Sequence, residues 1–394
     1  MKNLKKISFY LFLMLSTIFA SLYVLLQPIL AFGTFSPYKG NDNFTRKLLP
    51  INSSKKTVFI IADNKRTEIF DMLAPYYLFN STQCANVFVV AKNKTPILIK
   101  KDFYVLPQLT FEEVDAMKIH PDVIVIPALS VIDEKQDTIL INWLKKHFTT
   151  NTRMLAICDG ASTAASTGFY DGKALTCHAS DYSIIRSHFT KPNWVQQISV
   201  TKSGNLFSTA GVSNAVEGSL LVIDDVFGKE IMHQVSSSVS YPYSEIRYQH
   251  KSTAIDFKNK LTIAKKVILR NNRHLGLLLQ DGINEFDLAS VLDTYGRTFP
   301  ASFDIFSRDG KIVKTKYGLT LIGKKDSKLN KLDELHIIMP DYFSAKDFAF
   351  FKNINLVEYD DLKKIYTIDV CLKRICNLYG SNFTDVVKLL LDYN

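Results

Sequence analysis

The residue whose surroundings most favour chemistry is Cys158. It ends an apolar stretch, Arg153–Cys158, that predicts a buried strand, and the small residues of 160–168 predict the start of a helix. This strand–turn–helix pattern is typical of a nucleophile elbow, which holds a side chain out from the end of a sheet. The amides and the dipole at the start of the helix would favour a thiolate and would stabilise an oxyanion. The alternative is a small buried cysteine without chemical function.

The other potential ligands show no pattern. The remaining cysteines form neither a CxxC pair nor a zinc-like spacing with histidine: Cys84, Cys177, Cys371 and Cys376. Four histidines lack ligand spacing and are expected to be structural or solvent-facing: His233, His250, His274 and His336. The sequence contains no phosphate-binding loop and no dinucleotide glycine fingerprint. We therefore expect no metal and no cofactor.

The elements around Cys158 are predicted by short apolar runs that alternate with helical spacing. Strands are expected at 58–62, 86–91, 122–128 and 153–158, and helices at 68–79, 136–148 and 160–168. Buried strands that alternate with helices predict an α/β fold with a mostly parallel sheet covered on both faces.

A second segment repeats the beginning of this pattern. Residues 275–291 (LGLLLQDGINEFDLASV) resemble 58–75 (VFIIADNKRTEIFDMLAP), because each joins an apolar strand, a polar turn and an acidic helix start. The similarity stops after Pro340, so we expect a truncated second copy that packs on the first domain as a dimer or pseudo-dimer. Asp287 takes the position of Asp71 and is expected to be a remnant that still caps a helix. Residues 362–393 predict two amphipathic helices broken at Gly380.

Three runs of sequence resemble a known family. They are Ile157-Cys158-Asp159-Gly160-Ala161, residues 168–178 (GFYDGKALTCH) and residues 204–214 (GNLFSTAGVSN). They are similar to the reactive-cysteine region and a later strand–turn–helix of the ThiJ/PfpI (parkinsonism-associated deglycase) superfamily, which is class I glutamine amidotransferase-like. The runs look most like the sensor domains of AraC-type regulators and isocyanide hydratases. The resemblance covers about 56–238 and implies a flavodoxin-like sandwich.

The resemblance also implies a carboxylate, four residues before a proline, that contacts the cysteine. Asp71 before Pro75 matches this pattern and is expected to exchange a proton with Cys158. Its alternative role is to complement the dipole of the first helix. Glu68, one turn earlier, is a weaker candidate.

Three further residues are candidates for binding: Asp159, Gly160 and His178. Asp159 departs from the family, since peptidase-like members carry His there and hydratases carry Thr or Ser. The departure argues against proteolysis, and the added charge would raise the pKa of the thiol. His178 matches a family position near the rim of the site, although a surface position is equally consistent with the sequence.

The charge balance is basic. The chain of 394 residues carries 48 Lys and Arg against 38 Asp and Glu, a net charge of +10. This excess indicates either an ordinary solvated surface or attraction to anionic headgroups or polymers. No dense basic stripe interleaved with aromatic residues is present, so no nucleic-acid partner is expected.

The N-terminus predicts a membrane anchor. Lys2, Lys5 and Lys6 precede an apolar run over 7–32, which is longer than the core of a signal peptide and lacks a small-x-small cleavage site. We expect one uncleaved transmembrane helix in the cell membrane, with the globular part outside the cytoplasm. The predicted organisation is an anchor (1–32), a linker (33–55), a ThiJ/PfpI-like domain (56–240), a linker (241–272) and a partial second repeat with a helical tail (273–394).

Three functions remain open from the sequence. The first is a cysteine-dependent hydrolase, lyase or hydratase, not a typical peptidase, that acts on a small electrophilic molecule. The second is a non-catalytic sensor of a ligand or of oxidation at Cys158. The third is a transcriptional regulator related to the AraC-type proteins, which the short, weakly basic tail and the predicted anchor disfavour.

Overall fold

The computed structural model describes residues 50–270, 272–325, 331–342, 349–359 and 364–393, together with 35–40, Ser16, Ile29 and Phe44. Apart from Ser16 and Ile29, the predicted anchor lies outside the described residues, as do ten residues of the predicted linker at 33–55. Among the helices that are described, none has the length and apolar character needed to cross a bilayer.

The first unit is an α/β layer structure. Its elements in chain order are β1 Lys56–Ala62, α1 Ile69–Ser81, β2 Ala85–Ala91, β3 Ile97–Lys100, β4 Phe103–Leu106, β5 Leu109–Thr110, α2 Phe111–Met117, β6 Val123–Ile126, α3 Thr138–His147, β7 Arg153–Ala156, α4 Gly160–Ser166, β8 Ala174–Leu175, α5 Tyr182–His188, β9 Asn193–Trp194, β10 Val200–Ser203, β11 Leu206–Thr209, α6 Ala215–Phe227 and α7 Lys229–Ser238.

Seven strands form the main sheet, in the order β10-β11-β7-β6-β1-β2-β5. All neighbours are parallel except β10 and β11. Successive residues of a strand point to opposite faces. In β1, Val58 and Ile60 belong to one buried cluster, whereas Phe59 and Ile61 belong to another. Helices therefore cover both faces, and the predicted parallel α/β sheet is confirmed.

The second unit begins earlier than the sequence suggested. Its elements in chain order are α8 Phe257–Leu269, β12 His274–Leu278, α9 Glu285–Gly296, β13 Ser302–Ser307, β14 Val313–Lys314, β15 Thr320–Ile322, β16 Lys324–Lys325, β17 Glu334–Ile337, β18 Asn355–Glu358, α10 Thr367–Tyr379 and α11 Ser381–Leu391. The stretch predicted as a linker, 241–272, thus contains α8. Ile263 and Val267, four residues apart on one side of this helix, are buried, which explains why the basic segment is ordered.

The two units share a strand order. The second sheet runs β16-β13-β12-β17-β18, and all its pairs are parallel. It matches β5-β2-β1-β6-β7 of the first sheet strand for strand.

The correspondence continues past Pro340, where the sequence predicted that it stops. The expected pair of C-terminal helices is confirmed as α10 and α11, which meet at Gly380 with φ 87° and ψ 164°. The helices α6 and α7 meet in the same way at Gly228, with φ 92° and ψ 162°. Residues 359–366 alone join β18 to α10, whereas 157–214 join β7 to α6. The second unit therefore has a much shorter connection at the position where the elbow helix of the first unit lies.

Two of the contacts that join the units involve helix packing and strand pairing. The ring of Phe286 in α9 lies 5.6 Å from that of Phe70 and 6.0 Å from that of Tyr77, both in α1. In addition, β15 pairs antiparallel with β4, which creates a four-stranded sheet in the order β14-β15-β4-β3. The two units therefore share one continuous core.

Replacing Phe286 with Ala should lower the free energy of unfolding by about 3–5 kcal/mol, because the substitution leaves a cavity in the packed α1–α9 contact. Denaturant unfolding of the variant, followed by circular dichroism, measures the change. Phe257→Ala is the matched control, since this ring is 81% exposed, and it should change the stability by less than about 0.5 kcal/mol. Equal losses in the two variants would contradict the proposed importance of the contact.

Candidate active site

Cys158 lies at the turn between β7 and α4, as predicted. Its backbone has φ of 56°, a left-handed value that is uncommon for a residue with a side chain. A Cβ on Gly160 would collide with the carbonyl oxygens of Ile126 and Pro127 at the end of β6. Glycine is therefore needed for close packing of α4 on β6. Gly160 therefore has a steric role, and its part in binding stays a prediction.

The elbow offers fewer free amides than the sequence suggested. The amide of Gly160 donates to the carbonyl of Ile157 at 2.9 Å, and that of Ala161 donates to the carbonyl of Cys158 at 3.2 Å. The amide of Asp159 is the one that favours the anionic form of the sulfur. The expected row of oxyanion donors is thus reduced to this group.

A cavity of about 820 Å³ opens beside the elbow. Four candidate residues line it: Glu68, Cys158, Asp159 and His178. The opposite wall comes from the second unit, from the end of α9 and the residues that lead into β13. These four predicted residues therefore lie at one site. The wall that the second unit contributes was not indicated by the sequence.

Asp71 is fully buried near the start of α1. Its Oδ2 accepts a hydrogen bond from the amide of Ala128 at 3.0 Å, so the side chain does not cap its own helix. Its Oδ1 has no hydrogen-bond partner within the described part of the chain. Burial and then the charge of Glu68 raise the pKa of Asp71 well above its usual range. The site therefore favours the protonated form of Asp71 more than water does.

Glu68 caps α1 and also lines the cavity. Its Oε2 accepts a hydrogen bond from the amide of Asp71 at 2.7 Å. Burial, followed by the charge of Asp293, raises the pKa of Glu68 to about 7, whereas Arg297 acts in the opposite direction. Glu68 therefore changes charge near neutral pH, and it contributes more to the site than the sequence indicated.

The surroundings of Cys158 raise the pKa of its thiol rather than lower it. The residue is only 4% exposed, and burial raises its pKa well above the ordinary value. The charges of Asp159, Asp71 and Glu68 raise it further, in that order. The favourable amide of Asp159 is outweighed, since burial removes the water that would solvate the anion. The sequence-based expectation of a lowered pKa is corrected accordingly.

Asp159 and His178 both line the cavity. Burial and then Asp181 raise the pKa of Asp159 well above its usual range. His178 is 7% exposed, and burial lowers its pKa. The Nδ1 of this ring accepts from the amide of Ser180 at 3.2 Å, which assigns the proton to Nε2. Among the described residues, neither Oδ1 of Asp159 nor Nε2 of His178 has a hydrogen-bond partner.

The residue that the sequence reasoning missed is Arg297. Its Nη2 lies 2.9 Å from Oδ2 of Asp293 and 3.8 Å from Oε1 of Glu68. Burial opposes the charge of Arg297, but Asp293 and Glu68 outweigh this effect and raise its pKa. The spacing of Asp293 and Arg297 indicates a helix-surface ion pair. This four-residue spacing does not predict that Arg297 also lines the cavity beside Cys158 in the first unit.

In the second unit, Asp287 takes the position that Asp71 has in the first, and its side chain is occupied by a hydrogen bond. Asp287 accepts a hydrogen bond from Oγ1 of Thr367 at 2.6 Å, and burial raises its pKa to about 6. The side chain of Asn284 caps α9 by accepting from the amides of Phe286 and Asp287. The expectation that Asp287 caps its helix was therefore wrong, because Asn284 precedes it at the capping position. The described residues contain no cluster of three side chains that could hold a metal ion.

Known proteins match the first unit. The DJ-1/PfpI family model matches residues 55–224. The isonitrile hydratase of Pseudomonas putida is 20% identical over 172 residues, 43% of this chain and 72% of that protein. Protein dj-1beta of Drosophila melanogaster is 25% identical over 146 residues, 36% of this chain and 75% of that protein. The crystal structure of Drosophila melanogaster DJ-1beta covers 48% of this chain and 100% of its own, with a TM-score of 0.42 at 20% identity.

The parallel sheet and the elbow cysteine define an α/β domain with one buried thiol at the carboxyl end of a strand. These matches confirm the resemblance of residues 55–224 to the DJ-1/PfpI family that the sequence motifs predicted. The matched region ends within α6, so the second unit and Arg297 lie outside it.

Replacing Glu68 with Gln should speed alkylation of Cys158 by about threefold to tenfold at pH 8.5 and leave the rate unchanged at pH 5.5. Above pH 7 the native carboxylate is charged and raises the pKa of the thiol, whereas below pH 7 it is neutral. Gln retains an oxygen that can accept from the amide of Asp71. Mass spectrometry of the iodoacetamide-labelled peptide measures the rate.

The matched control is Glu112→Gln, at an exposed position of α2. It should leave the rate unaltered at both pH values. Equal acceleration of the Glu68→Gln variant at pH 5.5 and pH 8.5 would indicate loosened packing and contradict the electrostatic explanation.

Proposed function

We propose that the chain acts on a small electrophilic molecule in the cavity beside Cys158, with Asp71 as the proton partner of the thiol. One observation supports this best. The thiol of Cys158 lines a cavity of about 820 Å³, and the carboxyl group of Asp71, one of whose oxygens lacks a partner among the described residues, is close enough to raise the pKa of that thiol. A cavity of this size suits a small ligand.

A neutral thiol and a neutral carboxylic acid are suited to a concerted addition. With a carbonyl compound, Sγ would bond to the carbon as the π electrons move to the oxygen. Asp71 would give its proton to that oxygen and take the thiol proton in return, so that no charge is left in the buried site. The Nε2–H group of His178 would donate to the same oxygen or to a neighbouring acceptor of the ligand.

Carbonyl and nitrile-like compounds fit this chemistry, and the relative named isonitrile hydratase adds isonitriles to the class. Addition of the thiol to the terminal carbon of an isonitrile gives a thioimidate. Water then releases a formamide and restores the thiol, so the overall reaction is a hydration that needs no further reactant.

A ligand sensor is the second candidate function. Burial and three carboxyl groups raise the pKa of Cys158, which lowers the fraction of reactive thiolate. This observation favours recognition of a ligand without turnover over oxidation of the thiol.

We also infer that residues 273–394 are a shortened copy of the first unit. The shared strand order and the matching glycine turns support this inference. Such a copy would have lost its own elbow and retained the helix that closes the cavity of the first unit.

Replacing Asp71 with Asn should lower turnover about 10²–10⁴-fold, because the amide keeps a hydrogen bond but cannot transfer the proton. The assay presents a panel of small aldehydes, nitriles and an aryl isonitrile to the full chain and measures product by chromatography. Iodoacetamide labelling of Cys158 should survive in the variant, which separates loss of proton transfer from loss of the fold.

Asp102→Asn is the matched control, since Asp102 is exposed, and it should retain full turnover. Turnover by a Cys158→Ser variant at the native rate would overturn the proposed nucleophile. Saturable binding of a panel compound without any product would instead select the sensor.

We further propose that residues 7–32 anchor the chain in the cell membrane with the globular part outside the cytoplasm. Three lysines before the apolar run support this orientation. Protease added to intact cells should degrade the globular part, whereas a cytoplasmic control protein should survive. Protection of the globular part until the cells are lysed would reverse the proposed topology.

A further inference from the structure

The helix α8 is held firmly by one of its sides. Ile263 and Val267 are buried, as is the stem of Lys266. The Nζ of Lys266 donates to Oδ1 of Asn272 at 2.9 Å and to the carbonyl of Thr298 at 2.7 Å. This side of α8 is therefore fixed on the second unit.

The opposite side of α8 is apolar and exposed. Phe257 is 81% exposed, Leu261 is 58% exposed and Leu269 is 68% exposed. At about 100° per residue, Phe257 and Leu261 lie within about 40° of each other around the helix axis. Isolated apolar side chains on a surface are ordinary, but three on one helix of 13 residues form a patch.

Lysines flank this patch. Lys260 lies on one side of Phe257 and Leu261, whereas Lys258 and Lys265 lie on the other, and all three are exposed. The sequence of α8, FKNKLTIAKKVIL, contains no acidic residue. Asp256, just before the helix, uses its Oδ1 to accept from the amide of Asn259 at 2.7 Å.

We propose that α8 lies on the surface of an anionic lipid bilayer, with Phe257 and Leu261 inserted between headgroups and the lysines facing lipid phosphates. An apolar stripe bordered by cations is the pattern of an interfacial helix. Charge complementarity selects this occupant over a second copy of the chain, because two α8 helices face to face would bring their lysines together. This surface is separate from the cavity at Cys158 and does not depend on the reaction there.

The test uses tryptophan as a depth probe in the full chain, reconstituted into vesicles. Phe257→Trp and, as the matched control, Ile139→Trp each place an indole at an exposed apolar position, since Ile139 is 53% exposed on α3. The signal of the unaltered chain is subtracted. The vesicles are phosphatidylcholine with or without phosphatidylglycerol, and lipids brominated on their acyl chains quench any indole that inserts.

With phosphatidylglycerol present, emission of the Phe257→Trp probe should shift to the blue and be quenched, whereas the Ile139→Trp probe should be unaffected. Replacing Lys258, Lys260 and Lys265 with Gln should reduce the equilibrium constant for the inserted state about fivefold per lysine. The same change at three exposed lysines elsewhere, Lys118, Lys145 and Lys173, should have no effect.

Three outcomes would overturn the proposal. They are an unquenched Phe257→Trp probe in anionic vesicles, equal quenching of both probes, and a blue shift that depends on protein concentration without quenching. The last would indicate that a second copy covers α8.

Discussion

The antiparallel packing of α1 against α9 is the contact on which the rest of the structure depends. Every residue of α1 from Ile69 to Phe79 is buried, so this helix needs the sheet on one side and another apolar helix on the other. Phe286, near the start of α9, contacts α1 through Phe70 and Tyr77. At the other end, Glu68 at the start of α1 meets Arg297 just beyond the end of α9. One contact therefore buries the apolar surface of both units and completes the cavity.

The same contact determines the charge state of the cavity. It buries Glu68, Asp71 and Cys158 together, and burial is the largest cause of the raised pKa of each. Groups of this kind stay neutral by retaining protons, because the alternative is several negative charges in a poorly solvated space. The guanidinium of Arg297 offsets Asp293 and part of the charge on Glu68, and Lys100 acts on Glu68 in the same direction. The site consequently raises the pKa of the thiol and of both carboxyl groups.

The two units are unequal although their strand order is the same. The first has an elbow helix and an open cavity, whereas the second closes the corresponding position with the hydrogen bond between Thr367 and Asp287. The C-terminal tail also reaches the first unit, where Oδ1 of Asp392 lies 2.8 Å from Nε2 of His250 and its carbonyl accepts from Ser213. The second unit thus supports the first and supplies Arg297, which the DJ-1/PfpI match does not include.

Local patterns in the sequence were enough to predict the alternation of strands and helices, the elbow at Cys158 and the helix–glycine–helix tail. Each of these depends on residue periodicity, on a small-residue run or on one glycine. In each case the residues that form the pattern lie within a few positions of one another. The family could be recognised for the same reason, since its motifs are contiguous. The tertiary structure alone decided the burial of Cys158, the steric role of Gly160 and the partner of Asp287. It also decided that Arg297 reaches Glu68. Burial, and contacts between residues more than two hundred positions apart, depend on how the units pack, and the local spacing of residues does not predict them.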